Sequence, residues 1–358
     1  MRTNDSKILV LCLIILNAIS LAALYSSLHQ EGEFVHQNVF YRQIVWIVIF
    51  WVTMYGFSFI NYRLYFDSSI FIYAVSIILL IAVKLFGKEI MGAHRWFSFF
   101  GLNFQPSEFS KLAVVILLAR IFSDKADRRV LINKVAIPFS FVVLSGFLVF
   151  RQPDLGTASI LFLLFFMMGF SVKSIKKRYL AAIIIAGIIL APLGWHKLRD
   201  YQKKRLIVFI NPNVDPLGAG YTIIQSKIAI GSGKIIGRGF LAGTQNQFNF
   251  LPERHTDFIF TVIAEEFGFL GCVILLFLYC FILRIIYKKI KQAKDSFAQF
   301  LILGIYSIFF LHVFINIGMT MGIIPVVGLP LLFLSYGGTH LIITAIFLGI
   351  FFNITRQC

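Results

Sequence analysis

Residues 249–271 read NFLPERHTDFIFTVIAEEFGFLG. Glu253, Arg254, His255 and Asp257 crowd against the start of an apolar run, and Glu265 and Glu266 fall roughly two to three helical turns inside it. Ionisable groups that close to hydrocarbon are unfavourable unless partners, water or a chemical task offsets their desolvation. Thr256 is placed to cap a helix beginning at Asp257, and an acid in a first turn suits the positive end of a helix dipole. The stretch reads as the entry of a membrane helix, with the Asp257 carboxylate at its mouth and facing water.

The rest of the chain supports a membrane reading. It is 59% hydrophobic with a mean hydropathy of +0.85, above the roughly 45–50% apolar content of soluble domains. The 358 residues with their 41 Phe leave no room for a large soluble domain, so 1–358 forms one all-α polytopic membrane domain. Ten candidate transmembrane helices follow from apolar runs near spanning length: 8–28, 43–60, 69–86, 108–122, 135–150, 157–173, 178–194, 258–286, 299–320 and 331–354. One large connection, 195–257, separates the seventh from the eighth.

The formal charge of +17 rests on 33 basic and 16 acidic residues. The basic residues lie between apolar runs rather than along one amphipathic face, which argues for membrane lipids and against nucleic acid as the partner. With the N-terminus inside, the 33 basic residues divide as eighteen in inner segments, six in short outer segments and nine in the 195–257 connection. Both termini are then cytoplasmic and the long connection extracytoplasmic, where its length exempts it from the charge rule. Arg2 and Lys7 before the first run resemble the start of a signal peptide, but no small-residue cleavage site follows before Tyr25 and further spans come after, so a retained first helix is expected. Cys12, Cys272, Cys280 and Cys358 show no zinc or disulfide spacing.

The long connection contains TIIQSKIAIGSGKIIGRGF, alternating apolar and polar. Its periodicity predicts a helix over Tyr221–Ile230 lying in the interface, with Lys227 toward headgroups. Three other outer patches carry chemistry-capable residues. In GAHRWFSFFGLNFQPSEFSK, 92–111, Ser107 is placed to cap a helix that aligns Glu108 with Lys111, while Arg95 and Trp96 precede it. That patch reads either as a neutralised ion pair with an interface anchor or as a cationic wall for an anionic headgroup. RQPDLGT, 151–157, is a tight turn in which Asp154 bonds its own backbone or faces a ligand. GLPLLFLSYGGT, 328–339, breaks the entry to the last span, and backbone freed there must be buried in protein or line a cavity. Nucleophile elbow, phosphate loop, zinc-protease and dinucleotide signatures are absent. An outward-facing cavity with one well-placed carboxylate and several cations suits a lipid-linked anionic substrate.

Taken in order, GAHRW, QPSEFSK, RQPDLGTA, QSKIAIGSG, FLPERHTDFIF, AEEFG, NIGMTMGIIPVVGLP and SYGGT resemble the SEDS family (shape, elongation, division and sporulation), the RodA and FtsW peptidoglycan glycosyltransferases, over nearly the whole chain. The form FLPERHTDFIF is more similar to the RodA branch. Two positions depart from the family pattern: Leu332 replaces the second Pro of GLPLPF, and Lys234 the last Gly of GSGG. The resemblance implies an inverting glycosyltransferase of the bacterial cytoplasmic membrane that polymerises lipid II at its outer face for cell elongation and rod shape. It implies Asp257 as the catalytic carboxylate, Glu108 and Lys111 as functional residues, Arg42 as a basic position near the first outer loop, and Arg95 and Lys227 as diphosphate contacts. Asp154, Arg254 and His255 complete the implied substrate-binding surroundings. A class B penicillin-binding protein transpeptidase is the implied partner. A carboxylate beside a diphosphate favours a divalent cation such as Mg or Mn, although no dedicated protein cage is legible. Two other functions suit a similar sequence: a lipid II flippase, which needs access from both faces where the charged candidates here sit at outer helix ends, and a non-catalytic scaffold for a wall transpeptidase.

Overall fold

The computed structural model describes residues 3–30, 33–34, 37–90, 93–99, 102–124, 130–195, 200–218, 220–248 and 250–357. Fourteen α-helices are formed among them: α1 (Thr3–Leu28), α2 (Gln37–Phe57), α3 (Arg63–Asp67), α4 (Ser69–Phe86), α5 (Pro106–Ser123), α6 (Ile137–Arg151), α7 (Leu155–Phe170), α8 (Lys177–Trp195), α9 (Asp200–Ile210), α10 (Tyr221–Ser232), α11 (Thr244–Gln247), α12 (Ile259–Ile290), α13 (Ser296–Thr320) and α14 (Gly338–Gln357). A π-helical turn, Ile132–Ala136, leads into α6. The ten long helices α1, α2, α4–α8 and α12–α14 fall on the ten expected spans. The short strands His29–Gln30 with Glu33–Phe34, and the antiparallel set Lys88–Ile90, Ala93–Phe99 and Leu102–Phe104, were outside the all-helical expectation. They connect helices on the loop end of the bundle.

The helices sort into an inner and an outer set. The central window of α14 is 83% buried and that of α13 72%, against 22% for α2. α5 is buried along nearly its whole length and packs against α4, α13, α7, α6 and α14. Its charges keep it from reading as a lipid-facing span, because Glu108 and Lys111 face protein. On the perimeter, Val48 and Val52 of α2, Phe71 and Leu85 of α4 and Ile188 and Ile189 of α8 stand exposed, as lipid-facing side chains do.

Several boundaries differ from the sequence reading, and two of them bear on the site. The apolar run from 331 does not start a helix; residues 328–337 are irregular, with 331–335 buried, and α14 begins at Gly338, after Pro330 has removed a donor and Gly337 has loosened the chain. α12 begins at Ile259 with Phe258 in the cap position, and no side chain caps it. Thr256 does not serve that role: its hydroxyl donates to the Glu253 carbonyl and carboxylate, 3.2 and 3.1 Å.

α12 is broken at Gly268, where φ is +63° and ψ −158°. A side chain there would stand 2.3 Å from the Gly237 nitrogen and 2.7 Å from the carbonyls of Gly233 and Ile235. The break frees backbone groups inside a membrane helix, and these need partners in the absence of water. The segment after α10 supplies them: Arg238 and Gly239 N–H donate to the carbonyls of Glu265 and Glu266, and Phe269 and Leu270 N–H donate to those of Lys234 and Ile235. Glu265 anchors the same segment by accepting from Gln245 N–H at 3.0 Å and the Thr244 hydroxyl at 3.2 Å. Glu266 accepts from Ser26 of α1. The two carboxylates inside the apolar run thus fasten the long connection to the bundle.

Candidate active site

α5 starts with Pro106 at its first position and Gln105 extended before it. One turn in, Glu108 Oε1 accepts from Lys111 Nζ at 2.7 Å, and Glu108 Oε2 accepts from His340 Nδ1 at 3.1 Å. Lys111 Nζ also donates to His312 Nε2 at 2.8 Å. An ammonium cannot accept, so His312 Nε2 does, and its proton sits on Nδ1, which donates to the Pro330 carbonyl at 3.2 Å. All four side chains are buried. A carboxylate and an ammonium at this depth are tolerable because their hydrogen-bonding capacity is met on several sides.

Asp154 joins two of the outer patches. Its Oδ1 accepts Thr157 N–H and so caps α7, and its Oδ2 accepts the Ser107 hydroxyl at 3.1 Å and Gln105 Nε2 at 3.3 Å. Ser107, expected as the cap of α5, is spent on this long-range bond, and Gln105 occupies the cap position. Arg95 grips the same turn, with Nε on the Gln152 carbonyl and Nη2 on the Pro153 carbonyl, both 2.6 Å. The QPSE and RQPDLGT patches are therefore one surface.

Asp257 sits one residue before the Phe258 cap position of α12, and its backbone is clamped from two directions. Asn316 of α13 donates Nδ2 to the Asp257 carbonyl at 2.8 Å and to the Leu329 carbonyl at 2.6 Å. The Ser335 hydroxyl donates to the Thr256 carbonyl at 2.6 Å, and Tyr336 N–H to that of His255 at 3.0 Å. Gly328, at φ +70°, lies so close that an added Cβ would stand 3.3 Å from Asp257 Oδ2. His312 and Asn316 are one helical turn apart, so the same stripe of α13 touches the buried cluster and the Asp257 backbone.

The Asp257 carboxyl itself differs from every acid described so far. It is half-buried, and no side chain or backbone group among the described residues hydrogen-bonds to it. Desolvation by the surrounding protein pushes it up to about 7; Glu253 and Asp154 add to the shift, while Arg205 and Arg95 oppose it. A small opening with a dense protein shell reconciles partial exposure with strong desolvation. The resulting group is a carboxylate near half-ionisation at neutral pH with its oxygens free to meet a ligand, the condition of a general base.

The remaining expected residues are distributed around this centre. Arg254 is buried and donates Nε to the Ser27 carbonyl at 2.6 Å, near the end of α1, so that nitrogen holds the chain rather than a ligand. His255 is half-buried, with its ring 6.2 Å from that of Tyr336. Arg42 is exposed early in α2. Lys227 lies on α10, the helix expected there, exposed and with its stem against Gly322 at the end of α13. Neither Arg42 nor Lys227 is among the charges that set the Asp257 equilibrium. The structure adds four residues that the sequence reading left aside: Arg205 of α9, His312 and Asn316 of α13, and His340 of α14. Among the described residues no cluster of three His, Cys, Asp or Glu is arranged to hold a metal ion.

Comparison with known proteins follows the same lines. A family model described as cell cycle protein FtsW/RodA/SpoVE matches residues 6–358. The peptidoglycan glycosyltransferase MrdB of Escherichia coli is 43% identical over 297 residues, covering 82% of this chain and 79% of that protein. The peptidoglycan glycosyltransferase RodA of Treponema pallidum is 32% identical, covering 98% of this chain and 97% of that one. Among solved structures, a chain from work on the coordination of polymerization and crosslinking by a peptidoglycan synthase complex superposes with a TM-score of 0.81 at 31% identity, covering 98% and 97%. The rod shape determining protein RodA of Thermus thermophilus superposes with a TM-score of 0.72 at 26% identity, covering 98% and 96%.

Proposed function

This chain belongs to the FtsW/RodA/SpoVE cell cycle protein family, and from that premise we infer that it is a peptidoglycan glycosyltransferase polymerising lipid II in the bacterial cytoplasmic membrane, with Asp257 as its base. The observation that carries the assignment of the base is the half-buried Asp257 carboxyl, without a hydrogen-bond partner among the described residues and raised to about 7 inside a backbone clamp. Asp257 takes the proton from the acceptor sugar's 4-hydroxyl as that oxygen forms a bond to the anomeric carbon of the lipid-linked glycan. The bond from that carbon to the diphosphate breaks on the opposite face, and the carrier diphosphate leaves with the electron pair. Arg95 and Arg205 are the cations coupled to this centre and offset the developing charge. Arg42 and Lys227 serve approach of the anionic headgroup rather than the chemical step, while Glu108 and Lys111 set the wall behind it.

In the proposed orientation both termini are cytoplasmic and the end bearing Asp257 faces outward, which agrees with the excess of basic residues in the opposite connections. A transpeptidase of the class B penicillin-binding type is the proposed partner, in line with the synthase complex to which the chain is structurally similar.

The test is Asp257→Asn in purified protein supplied with lipid II, with and without that partner. Loss of general-base catalysis predicts a fall of about 10²–10⁴ in polymerisation rate. The same variant has a second readout. Raising the carboxyl from its ordinary 3.8 to about 7 means that the folded protein holds the proton more tightly than the unfolded chain. That contribution to stability is present at low pH and is lost as pH rises through 7. Asn removes the loss, so the variant melts at or above the wild-type temperature at pH 8. Near wild-type polymerisation by a well-folded Asp257→Asn protein overturns the assignment of the base.

A further inference from the structure

At the end of the bundle opposite Asp257, where the described chain begins and ends, α1, α2 and α14 do not close on one another. They leave a cleft of about 460 Å³, far above the roughly 30 Å³ share of one water molecule. Its walls are largely apolar: Val10 from α1, Met54 and Tyr55 from α2 and Phe352 from α14. Tyr55 is 68% exposed, and Val48 and Val52 on the same helix are open as well, so the cleft continues onto the lipid-facing surface of α2.

At its rim the character changes. Arg356, in the last turn of α14, and Ser6, in the first turns of α1, line it together. The Arg356 guanidinium rests 5.4 Å from the centroid of the Phe59 ring, and no carboxylate among the described residues pairs with it. Asp5, the acid next to Ser6 in sequence, is held by Lys288 at 3.5 Å and Lys289 at 3.4 Å. No acid is present in the lining among the described residues. A planar guanidinium braced on an aromatic ring, with its donors unspent, is shaped to pair bidentately with two oxygens of a phosphate.

We propose that this cleft binds one anionic phospholipid of the leaflet at that end, with an acyl chain against Val10, Met54 and Phe352 and its phosphate on Arg356 and Ser6. Apolar walls open to the bilayer with an unneutralised cation at headgroup level select a lipid over a soluble anion, which has no use for the apolar part. They select an anionic headgroup over a zwitterionic one, because no acid among the described residues lines the site to receive a choline or ethanolamine cation. In the proposed orientation this is the cytoplasmic leaflet, whose surface is negative. The site lies at the far end of the bundle from Asp257 and stands independently of the glycosyl-transfer reading.

The experiment uses the full chain in nanodiscs doped with photoactivatable phosphatidylglycerol or, in a parallel sample, phosphatidylcholine with the same reactive chain. Peptides covering 6–10, 54–58 and 352–356 are quantified by mass spectrometry. The expected result is labelling of these peptides about fivefold stronger with the anionic probe, the discrimination that one cation at the surface supports. Arg356→Gln reduces it to the phosphatidylcholine level, Arg356→Lys keeps most of it, and Val10→Trp, which fills the apolar part, lowers labelling by both probes. Equal labelling by the two lipids, a preference that survives Arg356→Gln, or no labelling of these peptides above the rest of the perimeter overturns the proposal.

Discussion

Two groups of buried charge lie within one helical turn of each other along α13, and they are built in opposite ways. Around Glu108, both carboxylate oxygens are taken, the ammonium of Lys111 has two partners, and two histidines close the set. At Asp257 the backbone is held by Asn316, while the carboxyl oxygens have no protein partner among the described residues. The first arrangement cannot act on a substrate without coming apart, and the second is open to a ligand because no group among the described residues competes for it. Charge near hydrocarbon therefore marks two different things: a satisfied cluster that fixes where helices meet, and an unsatisfied group whose oxygens are open to a ligand. The histidine and asparagine on α13 tie one to the other, since His312 and Asn316 hold the adjacent carbonyls of Pro330 and Leu329.

The sharpest way to break the comparison is to unpair the closed cluster. Lys111→Met leaves the Glu108 carboxylate buried with only His340, and uncompensated buried charges of this kind cost about 3–5 kcal/mol. Chemical denaturation of the solubilised protein should register that loss, together with reduced polymerisation. Adding Glu108→Gln removes the orphaned charge, so the double variant should recover part of the stability and show strong non-additivity in a double-mutant cycle. Additive losses would mean that the pair is not coupled in the way its geometry indicates.

A smaller effect is expected from cutting the tie between the two groups. Asn316→Ala removes both donors that fix the Asp257 and Leu329 carbonyls, yet leaves the Asp257 carboxyl and the Glu108 cluster in place. Misplacement of a catalytic group by about 1 Å is enough for roughly a hundredfold loss in rate. The signature of positioning is a fall in kcat with KM little changed and the pH midpoint of activity retained. A change in KM alone would assign Asn316 to substrate contact instead.

Much of this was legible in the chain because charge stands out in apolar text. Asp257, Glu108 and Lys111 are visible for that reason, and helix length follows from the thickness of hydrocarbon. Hydroxyl groups were harder. Ser107 and Thr256 sit where local capping patterns want them, but a distant acceptor, Asp154, claims the first, and the Glu253 turn claims the second. His312, Asn316 and His340 lie within apolar runs, FLHVFINIGM and SYGGTHL; a polar side chain inside a span is a signal, but its partner is set by helix packing alone. Arg205 was hidden among Lys203, Lys204 and the other cations of the long connection, since only the placement of α9 distinguishes it. The apolar run from 331 looks helical by composition and is irregular because Pro330 and the Gly337–Gly338 pair interrupt it, a case where backbone chemistry overrode hydropathy.

The finest test concerns the charges that tune the open carboxyl. Asp257 must be ionised to accept a proton, so activity is low below its folded value of about 7 and rises to a plateau above it. Glu253 pushes that value up and Arg205 pulls it down. Glu253→Gln therefore moves the acid limb of the pH profile to lower pH, and Arg205→Gln moves it to higher pH. Each displacement should be below about one unit, and that of Glu253, which is exposed, should shrink as salt is added. Arg205 also donates to the Val326 carbonyl at 3.3 Å, so its variant lowers the plateau as well as shifting the limb, whereas Glu253→Gln shifts the limb alone. Opposite shifts from two substitutions on either side of one carboxyl would identify it as the titrating base. Profiles that move together, or not at all, would place the essential ionisation elsewhere and leave Asp257 without the role that its lack of partners gives it.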